Sequence, residues 1–430
     1  MSVFGPADLL IPDVEDMAAW SVVACDQFTS QPEYWDAVRD RAGDAPSSLR
    51  LILPEVELAS AGPERIGEID RAMERYLRAG LFREHRDAYV YLERTLLDGS
   101  IRRGLVGAID LEAYDWRPGA TAAIRATERT VPERLPPRMA VRRGASLELS
   151  HAILLCEDED RGLLGPLQEA KPRLPRLYGF DLMMGGGHID GWLVQGAEAE
   201  ALGRRMEAYV RGRAGGSRPP FAVGDGNHSL AAAKACYEEL ERGSRAHPAR
   251  YAMVELEDIH DPALRFEPIH RLVTSVDVDA LLHSLEGICA SDGHLVVWHA
   301  RGRSGTLRLD RARGALAVGI LQEHLDGWLA DDAGQIDYIH GDDVLARLAE
   351  RPGSVGLQLP PIDKGELFGW IATEGALPRK TFSMGHAQEK RYYLEARELR
   401  TRGASSLEDE RARSCGACHP HLMPDAPFDK

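Results

Sequence analysis

The residues best suited to chemistry sit together in one stretch: Asp225, Gly226, Asn227, His228 and Ser229. An acid, a glycine, an amide, an imidazole and a hydroxyl follow one another with no apolar interruption. Asp225 suits a metal ligand, an acid, or a residue that fixes the turn by accepting backbone N–H groups. His228 adds a group that titrates near neutrality. The flanking residues say how these side chains are held. Phe221, Ala222 and Val223 form a short apolar run behind Pro219 and Pro220, which predicts a buried strand. Leu230, Ala233, Tyr237 and Leu240 then recur at helical spacing, with Ser229 or Asn227 placed to cap the helix. Strand, Gly-rich turn and helix together aim backbone N–H groups and a helix N-terminus at whatever lies above, a geometry that suits phosphate. Gly224 and Gly226 let a ligand come close to the backbone. The plain alternative is a tight, well-capped connection with no ligand.

The stretch resembles the DGHHR signature of the domain of unknown function 1015 family. That signature is similar to the DGHxR motif of free serine kinases and to the corresponding turn of ParB-like nucleotide-binding domains. Further segments resemble the family in its own order. Gly104-Leu-Val-Gly107-Ala-Ile-Asp110 with Tyr114 resembles the segment before its HERT motif, and Glu128-Arg129-Thr130 with Arg138 resembles HERT and its downstream arginine. Pro268-Ile-His270-Arg271 is similar to its P-x-H-R, and Leu377-Pro-Arg-Lys380 to its late P-x-K. Thr127 stands where HERT has His, and Asn227 and Ser229 stand where DGHHR has His and Arg.

The resemblance implies an α/β protein. A ParB/serine-kinase-like core spans about 85–275, between an N-terminal segment (1–84) and a C-terminal α+β domain (276–400), with a polar tail over 401–430. It implies transfer of phosphate from ATP or ADP, with Mg²⁺, to the hydroxyl of a small metabolite, free L-serine first. The alternative is a non-catalytic ParB-like nucleotide-binding switch or a scaffold. Phosphoryl transfer asks for cations or N–H groups on the phosphates, usually a metal, and a base for the attacking hydroxyl. On the resemblance, Glu128 is the base. Arg129, Arg138, Arg271 and Lys380 contact phosphate, with Gly226, Asn227 and Ser229 of the turn. His228 and His270 touch phosphate or orient the acid, and Asp225 holds Mg²⁺ or fixes the turn. Read without the resemblance, Glu128 is a glutamate paired with Arg129 or Arg125 at the surface.

Composition sets the outer bounds. The chain has 430 residues, a length for two or three domains, and 44% hydrophobic content suits a globular core. With 68 acidic against 52 basic residues the net charge is −16, which argues against a general nucleic-acid binder but not against a local basic pocket. The first residues show no basic region followed by an apolar core, and no apolar run approaches the ~20 residues of a membrane span. A soluble, cytoplasmic protein is therefore expected; the resemblance adds a small-molecule substrate, and a homo-oligomer is left open. Cys25, Cys156, Cys236 and Cys289 lie in apolar contexts and read as thiols of a reducing compartment. Cys415-Gly-Ala-Cys418-His419 spells the haem-attachment pattern, but the surrounding tail offers no haem context, and a metal site with His421 lacks well-spaced ligands.

Other elements are legible along the chain. Residues 20–25 read as a buried strand followed by a polar loop. Ile66 to Leu77 reads as a helix closed by Gly80, and 88–92 with 101–109 as a hairpin around Asp98-Gly99. Residues 147–156 read as one buried strand. Gly185-Gly186-Gly187 before His188 reads as a hairpin tip or an anion-binding loop. Helices are expected over 198–211, 281–288, 321–329 and 363–370. Strands are expected over 254–259, 295–298, 306–309 and 355–359.

Overall fold

The computed structural model describes residues 2–24, 28, 31–58, 60–240, 247–314, 316–330 and 334–400. Cys25, most of the loop after it, and the whole 401–430 tail with Cys415, Cys418, His419 and His421 lie outside the described residues. Helices and strands are mixed along the chain, and two large sheets dominate, so the fold class is α/β.

The larger sheet has thirteen strands and carries the turn near one end. Phe221–Asp225 pairs in parallel with Ile124–Ala126 on one side and antiparallel with Ala152–Cys156 on the other. Ala152–Cys156 runs parallel to Tyr251–Asp258, which pairs with Ile101–Asp110 and through it with Phe82–Thr95. The hairpin turns at Gly99, whose φ of 83° suits the glycine that the sequence supplies. Ala7–Pro12 and Ala396–Glu398 extend the same sheet, so strands from both ends of the chain join it. Central strands are buried on both faces, which is why 152–156 and 221–223 read as continuous apolar runs.

The run expected as a single strand over 147–156 is two strands. Leu147–Leu149 pairs with Ala396–Glu398, whereas Ala152–Cys156 enters the sheet centre. The chain bends at Ser150 and His151, and His151 turns into the cleft described below. The buried strand expected at 20–25 is shorter still: Met17–Trp20 is one helical turn, and Val22–Val23 pairs with Tyr392–Tyr393. The glycines at 185–187 form the tip between the paired strands Arg176–Asp181 and His188–Val194, in line with the hairpin reading.

The smaller sheet is antiparallel and ordered Arg303–Asp310, Gly293–Ala300, Val355–Gln358, Phe266–Thr274, Gln335–His340. Val278–Glu286 and Ala317–Ala330 cover one face, burying Leu281, Leu285, Leu321 and Leu325 against Val296, Leu309 and Leu357. Among the described residues, no helix is long and apolar enough to cross a membrane. Cys156, Cys236 and Cys289 are free thiols, and burial raises the pKa of each.

Candidate functional site

The turn leaves its strand through an irregularity. The register shifts between Val223 and Asp225, so Gly224 bulges out of the ladder, and a Cβ there would meet the Met384 sulfur at 2.5 Å. Gly226 has φ of 85°, and a Cβ on it would come within 2.9 Å of Ala152. These two glycines bring the backbone close to its neighbours and start the helix Asn227–Glu239 in a fixed direction. Among the described residues no side-chain hydrogen bond caps that helix, and its first turn, Asn227 to Ser229, lines the cleft. The capping role expected of Ser229 or Asn227 is not used: both lie inside the first turn, and Gly226 holds the cap position.

Above the turn lies a cleft of about 210 Å³. The turn residues 224–229 form one wall. Glu128, Arg129, Arg379 and Lys380 form another, and Lys390, His151 and Tyr393 close the floor. Six arginines and lysines line it against three acids, Glu55, Glu128 and Asp225, so the cleft is locally basic in an acidic chain.

Glu128 is drawn into this site by a chain segment far away in sequence. The Arg129 N–H donates to the Leu377 carbonyl (2.9 Å) and the Leu377 N–H to the Thr127 carbonyl (2.8 Å), which zips the two segments side by side. The Glu128 carboxylate then accepts the N–H groups of Lys380 and Thr381, each at 3.0 Å. Burial pushes its pKa up, against the lowering effect of those amides and of the Lys380 charge.

In the turn, Asp225 Oδ1 accepts the Gly226 N–H (2.8 Å), while Oδ2 lies 3.1 Å from Lys390 Nζ. His228 Nε2 accepts the Val131 N–H at 3.2 Å, so that nitrogen is the unprotonated one. Thr127 donates to the Val223 carbonyl (2.6 Å), and the Asn227 amide reaches Thr127 Oγ1 at 3.5 Å. Two residues that depart from the resembled motifs therefore stand against each other, and they join the 127–129 segment to the turn. Asn227 Oδ1 is buried with no partner among the described residues.

Arg129 is exposed at the rim. Arg138 lines the cleft with its guanidinium on Glu55, at 2.6 and 2.8 Å. Two expected phosphate contacts are elsewhere. His270 is 1% exposed; its Nδ1 accepts the Leu359 N–H (3.2 Å) and its Nε2 meets Asp342 at 2.7 Å. Arg271 is fully buried and stands behind the cleft wall. It donates to Gln322, to the Ile269 and Lys380 carbonyls, and it lies over the Tyr338 ring. Neither lines the cleft. Arg271 acts on the site indirectly, by bonding the backbone of the segment that carries Lys380.

The sequence reading missed Lys390, His151, Tyr393 and Glu55. His151 bonds the Leu149 carbonyl through Nδ1 (3.3 Å), and burial lowers its pKa, so the ring is neutral at pH 7. Its signal was the polar pair Ser150-His151 interrupting an apolar run. Lys390 carried no local signal; long-range bonds alone bring it to the site.

No curated protein matches the chain at a significant level. Among solved structures, a C-terminally truncated SbnI from Staphylococcus aureus is 9% identical, with 72% of this chain and 94% of that chain covered and a TM-score of 0.38. A free serine kinase variant in complex with ADP is 10% identical, with 68% of this chain and 91% of that chain covered and a TM-score of 0.37. A conserved hypothetical protein from Pyrococcus furiosus is 11% identical, with 70% and 95% covered and a TM-score of 0.34. Residues 9–409 match the family described as protein of unknown function (DUF1015), and the chain belongs to that family.

Proposed function

We propose that the cleft binds a nucleoside di- or triphosphate and transfers a phosphoryl group to the hydroxyl of a small metabolite, with free L-serine the first acceptor to test. One observation carries this reading: Glu128 and the turn 225–229, far apart in sequence, line a single basic cleft. The uncapped helix N-terminus offers N–H groups to phosphate oxygens, and the orphaned Asn227 Oδ1 offers an acceptor to a ligand hydroxyl or amino group.

In this scheme the phosphates lie over Gly226 to Ser229, with Arg129 and Lys380 at the rim. The acceptor hydroxyl faces Glu128. As its oxygen forms the new bond to phosphorus, its proton passes to the Glu128 carboxylate, and the bond to the leaving nucleotide breaks with its electron pair on the nucleotide oxygen. The raised carboxyl pKa suits a proton acceptor, and the Lys380 and Thr381 amides hold the carboxylate plane. Mg²⁺ is commonly held by one or two carboxylates together with substrate phosphates and water. Asp225 would supply that carboxylate, and the ion would neutralise charge on the phosphates. His228 keeps Val131 and the turn in register.

A second reading, a ParB-like nucleotide-binding switch, is favoured by one specific feature. Both Glu128 oxygens already hold the backbone of the 377–381 segment, so ligand binding at the turn would be felt there. Phosphorus NMR of the protein with ATP or ADP, Mg²⁺ and a panel of hydroxyl metabolites separates the two. A phosphomonoester that grows in with one acceptor supports the kinase. Nucleotide binding with no transfer to any acceptor supports the switch, and no binding of either nucleotide supports the scaffold.

A further inference from the structure

The resembled turn carries an arginine where this chain has Ser229, so the turn itself supplies no cation. A cation nevertheless sits under it. Lys390 is only 6% exposed, lines the cleft, and places Nζ 3.1 Å from Asp225 Oδ2. Lysine is rarely so buried without a function or a firm partner, and its carboxylate partner among the described residues belongs to the turn.

The loop carrying Lys390 is built to hold it still. Arg94, 2% exposed, donates Nη1 to the carbonyls of Glu389 (3.0 Å) and Lys390 (2.6 Å), and Nη2 to that of Gln388. Its remaining donors reach the Gly186 carbonyl at 3.0 and 2.8 Å. The His386–Glu389 turn is closed by a reciprocal capping box. The next residue, Arg391, is locked by Glu255 at 2.8 Å and by Glu395. A long flexible side chain is thus anchored on both sides of its Cα, which lowers the entropy cost of presenting its ammonium to a ligand.

We infer that Lys390 is the phosphate-binding cation of this site, supplied by the C-terminal return of the chain instead of by the turn. The ligand class is a phosphate ester or polyphosphate tail seated on the helix N-terminus. In the resting protein Asp225 balances the ammonium; the bound phosphate shares it. The inference rests on the phosphate-binding part of the proposed function.

The test uses calorimetry on the full chain without divalent cation, with ADP, adenosine and inorganic pyrophosphate as probes. Lys390→Met keeps the stem and removes the charge. A hydrogen bond to a charged group is worth roughly 10- to 150-fold in affinity, and that loss is expected for ADP and pyrophosphate but not for adenosine. Lys390→Arg should restore most of it. Asp225→Asn should raise pyrophosphate affinity, because it removes a competing anion and releases Lys390. This arm also stands if Lys390→Met fails to fold. ADP and pyrophosphate binding Lys390→Met as tightly as the wild type, or Asp225→Asn weakening pyrophosphate, would overturn the inference and leave Lys390 as an anchor of the turn. Pyrophosphate binding without any nucleotide binding would keep the inference and sink the nucleotide reading. No binding of any probe to the wild type would remove both.

Discussion

The turn at 224–229 and the return segment at 384–393 face each other across one cleft and are held by opposite means. The turn is local. A bulged glycine, a left-handed glycine and a helix start set its shape within six residues. The return segment has little regular structure of its own: the last residue of the strand Phe382–Met384, one short helical turn and a two-residue strand. It owes its shape to buried charges on distant strands: Arg94 from Phe82–Thr95, and Glu255 from Tyr251–Asp258. Gly104 makes room for that arrangement, since a Cβ there would meet the Glu255 carboxylate at 2.2 Å. The contrast teaches that half of a site can be encoded by neighbours in sequence and half by a polar network spread over the whole chain.

The largest effect should come from cutting the distributed half. Arg94→Met leaves the carbonyls of Gly186, Gln388, Glu389 and Lys390 without their shared donor. Each buried carbonyl left without a donor costs about 1 to 3 kcal/mol, so a loss of several kcal/mol should appear in urea unfolding. A loss well under 1 kcal/mol would mean that the return segment holds itself.

The local half should break more cheaply. Gly226→Ala forces a left-handed conformation worth about 1 to 2 kcal/mol on a residue whose Cβ also presses on Ala152. We expect roughly 2 kcal/mol of destabilisation and a loss of phosphate binding, because the helix N-terminus shifts. Unchanged stability with unchanged binding would show that the turn does not need its glycine.

The smallest effect should fall on the joint between the 127–129 segment and the turn. Thr127→Val keeps the shape and removes the hydroxyl that donates to Val223 and receives Asn227. One hydrogen bond is worth about 1 kcal/mol, so a thermal scan should show a modest shift. A shift as large as that of Arg94→Met would make the joint, not the buried network, the organising feature.

The same contrast decides what the sequence could reveal. The strand 221–225, the turn and the helix 227–239 were legible because apolar run, glycines and helical spacing all lie within twenty residues or so and point the same way. The hairpin around Gly99 was legible for the same reason. The break at Ser150-His151 was hidden, because a bend between two sheet positions leaves both halves apolar. That His270 and Arg271 stand outside the cleft lining was hidden for a related reason. A motif reports that polar residues are fixed, but not whether they face the ligand or, like Arg271, hold the carbonyls of the strand behind it. Lys390 could not be found locally at all, since a lysine beside an arginine reads as a solvated surface pair until Arg94 and Glu255 are known to bury the backbone around it.

The central claim is that the cleft is catalytic and that Glu128 removes the acceptor proton. Glu128→Gln keeps the shape and, through its one oxygen, one of the two amide contacts, so nucleotide affinity should hold while phosphoryl transfer falls by about 10² to 10⁴-fold. The sign of the pH dependence follows from the raised carboxyl pKa. The base works only when ionised, so wild-type kcat/KM should fall as pH drops through a value above the usual glutamate range, and that limb should vanish in the variant. Rates of phosphate transfer for the two proteins across pH 4 to 9, measured beside their nucleotide affinities, test this most directly. Loss of turnover and of the acid limb with binding intact is the predicted result; equal turnover in Glu128→Gln would contradict the account and leave a nucleotide-binding switch in its place.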